Sequence, residues 1–183
     1  MTEVERRERP PGARPAPRRI TADYLRRAAL HYLERYSAPA AQLQRVLLRK
    51  VERSCRHHEL DPQAFRMLVD EIVASCVNSG LVDDRRFAEA RAQSLRRKGR
   101  SARAVAAGLA AKGVGRDLVV QVVTADPQIE LETARAAAKR KRLGPWSRGD
   151  RAARRQKDIA ALARAGFSLT IARAVIDDAG EGE

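Results

Sequence analysis

From Thr21 onward, apolar positions recur at spacings of three and four, the period that lines one face of a helix, and no segment alternates between hairpin turns as a strand would. Thr21 reads as the N-cap of a first helix whose stripe is Tyr24, Leu25, Ala28, Ala29 and Tyr32. Ser37 reads as the next cap, with Pro39 tolerated in the first turn and Leu43, Val46 and Leu47 facing inward. Asp61-Pro62, a capping acid followed by proline at the first helical position, opens a third helix running through Phe65, Leu68, Val69, Ile72, Val73 and Cys76. The pattern predicts an all-α protein.

One stop signal recurs: Ser79-Gly80-Leu81, Lys112-Gly113-Val114 and Ala165-Gly166-Phe167. In each, glycine can take the left-handed position past the helix end. The apolar residue after it can fold back on the residue five before, Cys76, Leu109 or Leu162. Two of these stops close helices of one kind, Ser101 to Lys112 and Asp150 to Ala165, each followed by a short apolar helix, Arg116 to Ala125 and Ser168 to Asp177. The segment from Ser37 to Val51 fits the same slot, and Leu47, Leu109 and Leu162 mark equivalent positions in a loose internal repeat. The chain therefore reads as three tandem three-helix units, 20–82, 83–126 and 127–178. Units this small bury enough apolar surface only by stacking on neighbours, which implies an elongated body.

Composition adds two features. Residues 1–19 carry four of the eight prolines beside six arginines, a disordered basic arm, and 179–183 form an acidic tail. Net charge is +14, unevenly placed: nine Lys and Arg against seven acids leave +2 over 20–82, ten against five leave +5 over 83–126, and twelve against six leave +6 over 127–178. Such a surface attracts polyanions over about 10 Å. Neither cysteine sits in a CxxC pair, there is no signal-peptide core, and no apolar run approaches a membrane span, so a cytoplasmic protein without membrane association is expected.

Gly80-Leu81-Val82-Asp83-Asp84-Arg85-Arg86-Phe87-Ala88 resembles the RecX family, which carries a glycine, an apolar pair, an acidic pair and Phe-Ala at this junction. Lys98-Gly99-Arg100-Ser101, Val105, Leu109 and Lys112-Gly113-Val114 resemble its next element, and Arg164-Ala165-Gly166-Phe167-Ser168 with Ile171 its C-terminal one. The resemblance covers about residues 24–177. It implies a curved, modular helical monomer that lodges in the RecA nucleoprotein filament on single-stranded DNA and restrains recombination and the SOS response.

The contact candidates are the densest cations: Arg96, Arg97, Lys98, Arg100 and Arg103; Lys139, Arg140, Lys141 and Arg142; and Arg151, Arg154 and Arg155. Cations suit a helix C-terminus, yet four in a row at about 100° per residue surround the helix. Arg100 and Arg103 carry the charge into the next helix's first turn, where they oppose its dipole. Trp146 is the one aromatic placed to stack on bases, with packing between units the commoner fate. Cys55, His57 and His58 are read as a polar loop without zinc-site spacing, so no metal is expected. No nucleophile signature or phosphate-cradling GxxxxGK[ST] loop occurs, so neither a catalytic site nor a cofactor is expected. The rival reading is a stand-alone DNA-binding protein of helix-turn-helix type; against it, Asn78 is the sole asparagine available for reading bases. Direct DNA binding is expected to be weak.

Overall fold

Local capping chemistry starts most of the helices. In the computed structural model, which describes residues 16–123 and 126–178, the Thr21 hydroxyl accepts the Tyr24 N–H at 3.1 Å and opens α1 (Ala22–Leu33). A side-chain oxygen there satisfies an N–H that the first turn leaves without a partner. The second helix, α2, runs Ala40–His58. Asp61 caps a 3-10 turn, Pro62–Phe65, that leads into α3 (Arg66–Asn78). Asp83 caps α4 (Asp84–Arg97) and Ser101 caps α5 (Ala102–Lys112), which is followed by α6 (Arg116–Val122). Asp126 caps α7 (Pro127–Lys141), and a 3-10 turn, Gly144–Trp146, then precedes α8 (Arg151–Arg164), capped by Asp150, and α9 (Leu169–Asp177), capped by Ser168. No strand occurs among the described residues.

Each group of three helices closes its own apolar core. Leu25, Leu43, Leu47, Val51, Val69 and Ile72 centre the first, Ala88, Ala92, Val105, Leu109 and Val119 the second, and Ala134, Ala137, Ile159, Leu162, Phe167 and Val175 the third. Leu47, Leu109 and Leu162 are all fully buried, one in each core, which is what their equivalent spacing anticipates.

Several local expectations are corrected. Ser37 does not cap α2: the helix begins after Pro39 with no side-chain cap of its own, and the Ala40 N–H is instead taken at 2.8 Å by the Asp84 carboxylate. α2 continues past Val51 through His58, so Cys55, His57 and His58 lie on its last turns and not in a loop. At Gly80 the residue that returns is Val82, whose N–H meets the Cys76 carbonyl at 3.0 Å and which is 3% exposed; Leu81 is 54% exposed. The other two stops close as expected, Val114 on Leu109 and Phe167 on Leu162, each at 3.2 Å. α6 ends at Val122, before the expected Ala125, which with arm residues 1–15 and the acidic tail lies outside the described residues. The arm's last residues are anchored: the Arg18 carbonyl accepts from the Ser54 hydroxyl at 2.8 Å, and the Pro17 carbonyl meets His58 Nε2 at 2.9 Å.

Candidate basic interface

Most of the candidate cations fall where the second helical group meets the third. α4 ends at Gly99, which takes φ +66, and a Cβ there would lie 2.7 Å from the Ala137 backbone. The end of α4 therefore abuts the middle of α7, whose Ala134, Ala137 and Ala138 are fully buried and small enough to allow the approach. Arg97, Lys98 and Arg100 are thus carried toward the stretch of α7 just before Lys139, Arg140, Lys141 and Arg142, and all seven are exposed. Arg103 is exposed beside the end of α8, because Gly166 approaches the Ser101 side chain and Arg103 Cβ. The exposed Arg164 adjoins the same turn.

Arg142 closes α7 in the left-handed region at φ +56, where glycine is usual; its neighbour Leu143 returns an N–H to Ala138 at 2.9 Å. A non-glycine residue there carries about 1 to 2 kcal/mol of strain. Glu59, at φ +55, ends α2 in the same conformation.

Arg96 is half-buried and faces inward. Its charge stabilises the carboxylate of Glu130, whose two oxygens accept the Ala102 N–H at 3.1 and 3.0 Å. Burial nevertheless dominates and raises the Glu130 pKa, the Ala102 bond and Arg96 pulling the other way.

The α8 candidates lie apart, about 14 to 20 Å along that helix from Arg164. Two of them hold α9. Arg155 grips Asp177 through two bonds of 2.6 Å, which lower the Asp177 pKa, while Arg151 donates to the carbonyls of Ile176 and Asp178 at 3.3 and 2.8 Å. Cations that satisfy the last carbonyls of a helix are good end caps. Arg154 alone of this trio is exposed without such a bond.

Trp146 is half-buried against the third core, so it packs within its own helical group and not between units as expected; the exposed aromatic is Tyr36, its ring 5.1 Å from that of Tyr32. Cys55 is buried in the first core and His58 is engaged by Pro17, and among the described residues no group of His, Cys, Asp or Glu is arranged to hold a metal ion. Burial raises the pKa of both cysteine thiols, with Asp61 adding to the effect at Cys55. No helix among the described residues is long and apolar enough to cross a membrane.

Sequence reasoning missed the carboxylates that cross between helical groups. Glu130 looks like ordinary dipole matching in the first turn of α7, and Asp84 like a duplicate of the cap Asp83. The available signal, for Asp84 alone, was Pro39, since a helix start without a local side-chain cap needs a partner from elsewhere; α5 already has its Ser101 cap.

Residues 83–123 match the family described as RecX, second three-helix domain. Over 166 residues the chain is 46% identical to the regulatory protein RecX of Myxococcus xanthus, covering 88% of each chain. Over 154 residues it is 27% identical to the regulatory protein RecX of Agrobacterium fabrum, covering 84% of this chain and 82% of the other. No solved structure matches the chain significantly.

Proposed function

The chain belongs to the RecX family, and on that footing we propose that it regulates a RecA recombinase by binding the RecA filament on single-stranded DNA and restraining its extension, ATP hydrolysis and recombination. It works as a cytoplasmic monomer through three repeat units, 20–82, 83–126 and 127–178, without a catalytic site or cofactor. The observation that carries this reading is the 46% identity, across 88% of both chains, to a protein named for regulation.

The charge supports it. The exposed cations between the second and third helical groups speed encounter with a DNA-laden filament, while apolar and hydrogen-bonded contacts to RecA set the affinity. Direct DNA binding stays weak, about 10⁻⁴ to 10⁻⁶ M at physiological salt, as for non-specific binders. Half-burial of Trp146 fits that weakness by withdrawing a stacking platform.

The test is RecA-dependent ATP hydrolysis on single-stranded DNA. Substoichiometric protein is expected to lower the rate and shorten filaments; unchanged hydrolysis, strand exchange and filament length would overturn the proposal. Filaments are expected to bind at least about tenfold tighter than bare strands, roughly 1.4 kcal/mol. Equal affinities with the same salt slope would favour a stand-alone DNA-binding protein instead.

A further inference from the structure

We infer that Asp84 and Glu130 are clasps that set the angle between successive helical groups, each capping the middle helix of the group before its own. The two bonds are equivalent. Asp84, the first residue of α4, accepts the Ala40 N–H that opens α2. Glu130, in the first turn of α7, accepts the Ala102 N–H that opens α5. In each case the N–H belongs to the first residue of the middle helix, which its own turn leaves without an intrahelical partner.

Around each clasp the same parts meet. The C-terminal turn of the following middle helix seats on the start of the preceding one: Gly113 against Ala41, with the Arg45 guanidinium donating to the Ala111 carbonyl at 3.2 Å, and Gly166 against Ser101, whose hydroxyl donates to the Ala165 carbonyl at 2.8 Å. α8 supplies the contrast. Its start faces no further group among the described residues, and its cap is wholly local, Asp150 accepting from Ala152 and Ala153, whereas α5 takes Glu130 in addition to its own Ser101 cap and α2 takes Asp84 in place of one.

The clasps share the orienting of the groups with the glycine seats and with the Arg45 and Ser101 bonds, and not with a common apolar core. The three apolar cores share no residue, so each group keeps its own fold while polar links and glycine contacts join it to the next. A part-buried N–H deprived of its acceptor is destabilising, and opening the junction to water relieves that cost without unfolding either group. Burial raises the Glu130 pKa despite Ala102 and Arg96, so the negative charge is itself disfavoured there, while the geometry needs only an acceptor for the Ala102 N–H. An amide oxygen, which also accepts, therefore serves there. Only the consequence for filament binding, a fixed spacing of contacts along the groove, rests on the regulator reading.

Pulsed dipolar distances between spin labels test the clasps with no partner present. Labels at Arg26 and Val120 report the first junction, and labels at Val120 and Arg173 the second; all three positions are exposed. Glu130→Ala is expected to broaden the second distribution only and Asp84→Ala the first only, with helical circular dichroism retained, while Glu130→Gln keeps both narrow. Unchanged distributions in both alanine variants would overturn the inference, as would broadening of both pairs together with loss of helicity. Filament affinity of the same variants then tests the regulator reading separately: a clasp shown by the distances yet without effect on filament binding would count against that reading, not against the clasp.

Discussion

The junction of the first and second helical groups and that of the second and third are built alike and dressed differently. Both seat a glycine turn against a small residue, and both pass a carboxylate to the preceding middle helix. At the first, Arg45 spends its guanidinium on a backbone carbonyl, and the hollow beside it is lined by Ala40, Val77, Gly80, Val82, Asp83 and Asp84. At the second, Arg97, Lys98, Arg100, Arg103 and Lys139 to Arg142 all face solvent. One way of joining three-helix groups thus leaves the surface free to differ: the denser run of exposed cations lies at the second junction, while Arg85, Arg86 and Lys112 are the exposed cations beside the first.

The likeness of the two joints is most severely tested by filling them. Gly99 and Gly113 both have positive φ, and an added Cβ would come within 2.7 Å of Ala137 or 2.6 Å of Ala41. Gly99→Ala and Gly113→Ala should each cost about 2 to 4 kcal/mol, left-handed strain plus overpacking. Gly80 has φ +73 but open space around it, so Gly80→Ala should cost only about 1 to 2 kcal/mol, the strain alone. Urea unfolding of the three variants checks this, and equal losses would mean that the close approach at the joints contributes nothing.

The difference between the joints is tested by charge. Replacing Arg97, Lys98, Lys139, Arg140 and Lys141 with glutamine should weaken binding to bare single strands uniformly across sequences and flatten the salt dependence by about 0.7 per lost contact. Arg45→Gln at the first junction should lower stability and leave the salt slope unchanged, because that cation already serves a carbonyl. Fluorescence anisotropy across a salt series decides; an equal flattening from Arg45→Gln would erase the distinction.

How much of this the sequence made legible follows from the range of the interactions. Helix stripes, the caps Thr21 and Asp61, and the glycine stops are set within four or five residues, and the local sequence exposes them. Equivalent leucines revealed the repeat because each sits at the same depth in its own core. Ser37 was misread because its rival, Asp84, lies 44 residues beyond Ala40, the residue whose N–H it accepts. The cations were legible as a set but not by role. Nothing local tells that Arg151 and Arg155 reach across to α9 while Arg97 and Arg100 stay in solvent, since the partners Asp177 and Asp178 are more than twenty residues away.

The smallest expected effect separates Glu130, at the second junction, from Asp177, which ties α9 to α8 away from either junction, through opposite responses to acid. Burial raises the Glu130 pKa in the folded state, so folding takes up a proton there more readily than the unfolded chain does. Its contribution is then fully present below the ordinary glutamate pKa, about 4.3, and is lost as pH rises through the higher folded value. Asp177 is the reverse: the hydrogen bonds from Arg155 lower its pKa, so its contribution is present above the ordinary aspartate value of about 3.9 and is lost as pH falls through the folded one. The two windows flank pH 4. Glu130→Gln should therefore be no less stable than the parent at neutral pH, with its advantage shrinking as pH drops toward 4, whereas Asp177→Asn should be less stable at neutral pH and match the parent only in stronger acid. Urea midpoints from pH 3 to pH 7 measure both, and a Glu130→Gln protein that loses stability at neutral pH and recovers it in acid would show that the junction carboxylate acts through its charge and not through the bond it accepts from Ala102.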